Sequence, residues 1–170
     1  SPPFVKLDNG PIVARHVRSF VLENISLEFP ALMGDMVKYL DSPNELDLSA
    51  VDPILNEIKS RAAELVTGAR RVFDARNIAD GDFLDETVGE MPADVLRIIN
   101  NWFFLIQRLF KEFVEYRTIT ADRQAKLKAA ARERAYRELT RDQQTAYVLN
   151  YMSNEGLLPS YQFPTDTFSL

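Results

Sequence analysis

The clearest charge asymmetry in this chain of 170 residues lies in residues 117–141. This segment carries eight bases and three acids, a charge of +5, whereas the rest carries 12 bases and 22 acids, a charge of −10. At about 100° per residue on a helix, five of these bases fall within roughly 80° of one another. The residues that fall on the opposite face, and are predicted to pack, are Ala121, Ala125, Ala129, Tyr136 and Leu139. A cationic stripe of this kind neutralises backbone phosphates and predicts a nucleic-acid contact. The candidate binding residues are Arg123, Lys126, Arg134, Arg137 and Arg141.

Two other interpretations of this basic stripe stay open. A basic helix face is often only solvated, and Glu133 and Arg137 have the i,i+4 spacing of a surface ion pair. The stripe also suits docking on an acidic neighbouring domain. Because the net charge of −5 disfavours nucleic acid, a protein–protein interaction or assembly module is the alternative function.

Composition excludes most other chemistry. The chain has no Cys, which rules out disulfides, Cys-ligated zinc and iron–sulfur clusters. It has one His, which rules out His-ligated metal clusters and most His-based relays. That residue, His16, is expected on a helix surface or in a structural hydrogen bond. The acids of residues 80–94 do not fit an EF-hand loop, so a solvated loop is favoured over a metal site. No catalytic residue and no metal ligand is predicted, and a hydrolase working through carboxylates alone is the weakest hypothesis.

Helical periodicity predicts the elements that position the stripe. A first helix is expected over residues 11–28, because Pro11 suits the first helical position. A short helix is expected over residues 31–40. Ser49 is predicted to cap a long helix over residues 49–73, whose apolar residues alternate by three and four. This pattern is typical of a helix that packs in a bundle.

A loop is predicted for residues 77–91, which are rich in acids and turn residues. Pro92 is then expected to open a helix to about Tyr116. This helix is apolar on nearly all sides, which is typical of a central element surrounded by others. Trp102 is accordingly predicted to lie in the core.

The remaining elements complete an all-α prediction. Thr140 is expected to start a separate helix, and Gly156 is suited to cap its C-terminal end. The sum is a bundle of five or six antiparallel helices over residues 11–156. Residues 1–10 and 157–170 are expected to be extended arms.

Two end segments resemble parts of one protein family. Residues 9–20, NGPIVARHVRSF, resemble the segment that follows the second motor domain of bacterial DEAD/DEAH-box (superfamily 2) helicases, where N-x-P-x-x-x-R-H opens a helix. Residues 155–166, EGLLPSYQFPTD, resemble the G-L/F-L-P-x-Y-x-F-P signature of the same enzymes, which leads into a C-terminal region. The two segments occur in the expected order, and residues 29–150 match no motif of the family.

The resemblance implies a helical accessory domain cut from a longer helicase. The chain has no Walker A lysine, no DEAD/DEAH box and no cysteine cluster, so it would not hydrolyse ATP by itself. ATP and Mg would belong to the motor domains of the parent protein. The implied partners are nucleic acid, with DNA favoured over RNA, and the flanking motor and C-terminal domains. The sequence contains neither a run of roughly 20 apolar residues nor a secretory signal, so no membrane contact and a cytoplasmic location are predicted.

Overall fold

Helices build the part of the chain that the structure describes. The computed structural model describes residues 10–38, 45–73, 82–117 and 123–160, which contain six α-helices and one 3₁₀ helix. The predicted all-α fold is confirmed, and the predicted arms fall mostly outside the described residues. The helices are α1 Gly10–Glu23, the 3₁₀ helix Met33–Met36, α2 Asp52–Ser60, α3 Ala62–Val72, α4 Phe83–Arg117, α5 Arg123–Thr145 and α6 Val148–Asn154.

The chain divides into two compact units. The described part of the first unit consists of residues 10–29, 49–73, 82–97 and 149–160, and the described part of the second consists of residues 30–38, 45–48, 98–117 and 123–148. The first unit therefore holds α1, α2, α3, the beginning of α4 and most of α6. The second holds the 3₁₀ helix, the rest of α4 and α5.

The first unit is built on apolar residues at helical spacing. On α1, Val13, Val17 and Val21 recur every four residues and are buried, which forms a single core-facing stripe. On α3, a Cβ added at Gly68 would lie 3.1 Å from the ring of Phe20. Glycine at this position therefore permits the close approach of α1 and α3.

The predicted helix over residues 49–73 is in fact two helices. The first begins at Asp52 with Val51 as its N-cap, and no side chain caps it, so the predicted cap at Ser49 was wrong. The break falls at Arg61, whose guanidinium donates to the carbonyl oxygen of Asn24 at 2.9 Å and to the Glu57 carboxylate at 2.8 Å. At Arg61 the backbone leaves helical geometry, with a φ of −105° and a ψ of 13°. The spacing of apolar residues did not predict this break, because apolar residues continue at helical spacing on both sides of Arg61.

Helix α4 starts nine residues before Pro92, so the loop predicted for residues 77–91 was wrong over the helical part. Leu84, Val88 and Met91 are buried at the spacing of one helix face, and this burial outweighs the loss of one backbone hydrogen bond at Pro92. Asp85 stands with another acid in the first turn, where negative charge is favourable. Asp85 and Glu86, two of the acids that suggested a loop, thus belong to a helix N-terminus.

The core of the second unit forms around Trp102. This side chain is fully buried, as predicted, and its indole Nε1 donates to the backbone oxygen of Gln143 on α5 at 3.2 Å. Helix α4 is not surrounded on all sides as predicted, however, because Phe104 is 64% exposed. The predicted short helix over residues 31–40 is the one-turn 3₁₀ helix, and the amide of Met33 donates to the oxygen of Ala146 at 2.8 Å.

Helix α5 continues through Thr140, so the helix start predicted there was wrong. The buried Thr140 hydroxyl donates to the oxygen of Tyr136 at 2.8 Å, which satisfies it inside the helix instead of at a cap. The predicted cap at Gly156 is confirmed. Gly156 has a φ of 86°, its amide donates to Ser153, and the following amide of Leu157 donates to Met152, the two bonds of a Schellman motif.

Candidate nucleic-acid interface

The five candidate bases all lie on α5, and all five are exposed. The helix is continuous from Arg123 to Thr145, so the angular argument made from the sequence applies without a break. At about 1.5 Å per residue, the stripe from Arg123 to Arg141 is roughly 27 Å long. We refer to Arg123, Lys126, Arg134, Arg137 and Arg141 as the basic stripe.

The packed face of α5 is formed by small and polar side chains. Ala129 and Thr140 are buried, and Ala125 and Tyr136 are partly buried. The sequence predicted a packed face that also included Leu139, but this side chain is 49% exposed. Ala121, the other predicted member, lies outside the described residues.

The i,i+4 pair expected on a solvated helix face is present. Arg137 Nη2 lies 2.7 Å from Glu133 Oε1, and the Arg137 side chain is still about half exposed to solvent. This pair reduces the net charge that Arg137 offers to a phosphate. The outer members of the stripe, Arg123 and Arg141, lie far from this carboxylate along the helix.

The two segments that resemble helicase sequences meet in the first unit. Arg18 Nη1 donates to the backbone oxygen of Leu157 at 3.0 Å, and a Cβ added at Gly156 would lie 3.3 Å from the guanidinium of Arg15. Arg18 is partly buried, and none of the described residues forms a hydrogen bond with its Nε. Burial lowers the pKa of Arg18, and the nearby Asp94 carboxylate opposes that effect. Sequence reasoning missed this junction, although both segments were singled out.

The acids of residues 80–94 do not assemble a metal site within the described residues, where no group of three or more His, Cys, Asp or Glu is placed to hold an ion. Asp85 instead pairs with Arg70 at 3.0 Å. Asp80 lies outside the described residues. His16 lies exposed on the surface of α1, one of the two positions predicted for it.

A pocket of about 440 Å³ lies between α1 and α3, and Arg61 and Glu64 in its wall form an ion pair. The Glu57 carboxylate accepts from the amide and hydroxyl of Ser26 and from Arg61, which lowers the pKa of Glu57 to about 2. Glu64, Glu57 and their hydrogen bonds raise the pKa of Arg61. Arg61, which lines the pocket, is therefore held by two carboxylates in a structural ion-pair network.

Helix α4 presents a second exposed face that sequence reasoning missed. Its members were hidden in a run of apolar residues that indicated a fully surrounded helix. The signal was present as cations and amides at helical spacing around one aromatic residue. In the second unit this α4 face consists of Asn100, Asn101, Phe104, Arg108 and Lys111.

Comparison with family models, with curated proteins and with solved structures finds no match to this chain. Among helices of the described ranges, none has both the length and the apolar content to span a bilayer. The site is therefore interpreted from its own geometry: a long exposed basic stripe on one helix of the second unit.

Proposed function

We propose that this chain is a helical accessory domain of a DEAD/DEAH-box helicase-like ATPase, where it contributes to nucleic-acid binding and has no catalysis of its own. The single observation that carries the proposal is the basic stripe, which is exposed along one face of α5. Only Ala129 and Thr140 of this helix are buried. Most of its surface is thus available for a partner.

The stripe suits a phosphate backbone better than a compact ligand. Its length of roughly 27 Å spans several successive phosphates, and its cations are spread along it instead of converging on one point. Backbone contacts of this kind position a nucleic acid without reading its sequence. DNA is favoured over RNA as the partner. ATP and Mg would be held by motor domains outside this chain.

The junction of the two end segments supports a role in coupling neighbouring domains. Arg18 joins α1 to the turn after α6 through its bond to Leu157. In the proposed parent protein, these segments lead to the motor and to the C-terminal region. A displacement on one side would therefore be transmitted to the other through a short, partly buried contact.

The experiment compares two matched pairs of charge reversals on the same helix. Arg134→Glu with Arg141→Glu changes the basic stripe, whereas Lys128→Glu with Arg132→Glu changes exposed bases about 120° to 180° away around the helix. Each replacement lowers the charge by two, so both pairs take the chain from −5 to −9. DNA binding is measured by fluorescence anisotropy across a salt series.

The stripe pair is expected to weaken binding strongly and to reduce the slope of log K against log salt by about 1.4 to 1.8, which corresponds to two lost phosphate contacts. The control pair is expected to retain most of the binding. Replacing Arg123, Lys126, Arg134 and Arg137 together by Glu is expected to abolish it. Equal losses in the two matched pairs would show that net charge matters and the stripe does not.

A protein-interaction or assembly module is the second candidate function. It is favoured by two large apolar side chains exposed in or just after α5, Leu127 at 63% and Tyr147 at 60%. Sedimentation of the 170-residue chain tests it. Concentration-dependent association that Leu127→Lys removes, with no DNA binding at low salt, would establish this function in place of the first.

A further inference from the structure

The α4 face differs in chemistry from the basic stripe. Between residues 98 and 112, its five members are the exposed residues, and none of them is acidic. On a helix they fall within about 100° of one another, opposite the buried side chains of Trp102 and Ile106. The face therefore combines one aromatic ring, two amides and two cations, and the partly buried Glu112 lies at its edge, four residues after Arg108.

Phe104 is the centre of this face. It is the most exposed of the large apolar side chains in the described residues, and its ring centroid lies 6.4 Å from that of the partly buried Phe103 at an interplanar angle of 43°. A ring supported by a neighbour presents its surface in a restricted orientation. Arg108 and Lys111 follow it by four and seven residues, which places both cations on the same side of the helix.

We propose that the α4 face binds single-stranded nucleic acid, with a base stacked on Phe104 and backbone phosphates on Arg108 and Lys111. This inference rests on the proposed function and adds the strand state of the substrate. Every base has a π-face, so an exposed aromatic between cations binds single strands with little sequence preference. In a duplex the bases already stack on each other, so Phe104 would have no base to contact.

Charge and surroundings favour this occupant over a protein partner. A protein hot spot lies near the centre of an interface in a well-packed pocket, where the surrounding contacts exclude water. The exposed neighbours of Phe104 on α4 are instead Asn100, Asn101, Arg108 and Lys111. These groups match the phosphates and base edges of a polyanion.

The first experiment measures the binding of the 170-residue chain to oligothymidylate, to oligouridylate and to a DNA duplex of the same length. Phe104→Ala is expected to weaken binding to the single strands by at least about fivefold and to leave duplex binding within twofold. Phe104→Tyr, which keeps the ring, is expected to bind like the parent chain. Phe104→Leu, which keeps an apolar side chain without a ring, is expected to bind as weakly as Phe104→Ala. Oligodeoxyuridylate, which differs from oligouridylate only in its sugar, is compared with oligouridylate to identify the preferred sugar.

A second experiment reports stacking directly. Phe104→Trp places an indole at the exposed position, whereas the native Trp102 is fully buried and supplies a constant background. Oligothymidylate is expected to quench the emission of the new indole, and the duplex is expected to have little effect. Binding seen by anisotropy without any quenching would overturn stacking at this position.

The outcomes separate this inference from the proposed function. Binding that is lost on reversal of the basic stripe but unchanged in Phe104→Ala and Phe104→Leu overturns the inference alone. A parent chain that binds no nucleic acid at low salt overturns both. Self-association that Phe104→Ala removes, with oligothymidylate binding unchanged, assigns the α4 face to a second copy of the chain and also overturns the inference.

Discussion

Helices α4 and α5 contribute to the second unit in different ways. In this unit, α4 buries Ile98, Ile99, Trp102 and Ile106, four large side chains within nine residues. Helix α5 buries only an alanine and a threonine over its 23 residues. The first helix is held in place by what it packs against. Helix α5 is stabilised by the helix propensity of its residues and by the small packed face that contains Ala129 and Thr140, and most of its side chains face solvent.

This difference explains the composition of α5. Ala, Arg, Lys, Gln and Glu make up most of the helix, and these are among the residues that favour helical structure most strongly. A segment that forms a helix without deep burial can carry almost any set of exposed charges. The basic stripe is therefore free of the packing demands that fix the residues of α4.

Removal of the largest core side chain gives the sharpest test of this contrast. Trp102→Ala removes a fully buried indole and its bond to Gln143, so we expect the free energy of unfolding to fall by about 3–5 kcal/mol. Leu139→Ala on the exposed side of α5 is the control and is expected to stay within about 0.5 kcal/mol of the parent chain. Urea unfolding followed by circular dichroism measures both. Similar losses would mean that α5 is as deeply packed as α4.

A substitution on the small packed face of α5 is expected to have the next largest effect on stability. Ala129 is buried, so the extra carbon atoms of Ala129→Leu are expected to overpack this contact and to cost about 1–3 kcal/mol. Its neighbour Ala130 is exposed, and Ala130→Leu is expected to change stability by less than about 0.5 kcal/mol. The same urea experiment compares them. A stable Ala129→Leu variant would show that α5 can shift away from its neighbours without loss.

The sequence predicted most of the helical content because apolar spacing is a local property. It placed Trp102 in the core and Gly156 at a helix end, since burial of a large ring and left-handed backbone conformation each depend on residue type. It failed at Pro92, where buried neighbours outweigh one missing hydrogen bond, and at Arg61, where the helix is interrupted although the apolar pattern continues and where the side chain bonds to the distant Asn24. Such tertiary contacts are not visible in local periodicity.

The candidate site shows the same division. The basic stripe could be found from helical geometry alone, because charged residues at regular spacing are almost always exposed. The α4 face was missed because an exposed Phe104 beside Phe103 looks identical in sequence to a buried one. Only the orientation of α4, fixed by residues such as Trp102, decides which of these rings faces solvent.

Two Glu–Arg ion pairs with the same spacing, one at the end of α2 in the first unit and one on α5 in the second, differ in how strongly their surroundings stabilise the carboxylate. Glu57 and Arg61 lie 2.8 Å apart, Glu133 and Arg137 lie 2.7 Å apart, and both have i,i+4 spacing. The pKa of Glu57 falls from 4.5 to about 2, chiefly because the backbone amide of Ser26 also donates to it. Its ionised form therefore adds stability above about pH 4.5, and this contribution is lost as the pH falls towards 2.

Glu57→Gln tests that pH dependence. The variant is expected to be less stable than the parent chain at neutral pH, and the difference is expected to shrink as the pH is lowered through the range from 4.5 to about 2. Thermal unfolding at several pH values measures the difference. A constant gap across this range would show that the Ser26 and Arg61 contacts do not distinguish the ionised carboxylate from the amide.

The equivalent change on α5 has the smallest expected effect on stability. Glu133→Gln weakens a pair on a helix surface, where such pairs contribute about 0.3–0.5 kcal/mol, so urea unfolding should shift only slightly. The same change removes a negative charge beside Arg137 and is therefore expected to strengthen DNA binding modestly at low salt, with the gain disappearing as salt screens it. Stability and binding would then move in opposite directions at one residue. That opposition is expected of a helix whose exposed face serves a partner more than the fold, and a variant that loses both would place Glu133 among the residues that hold α5 together.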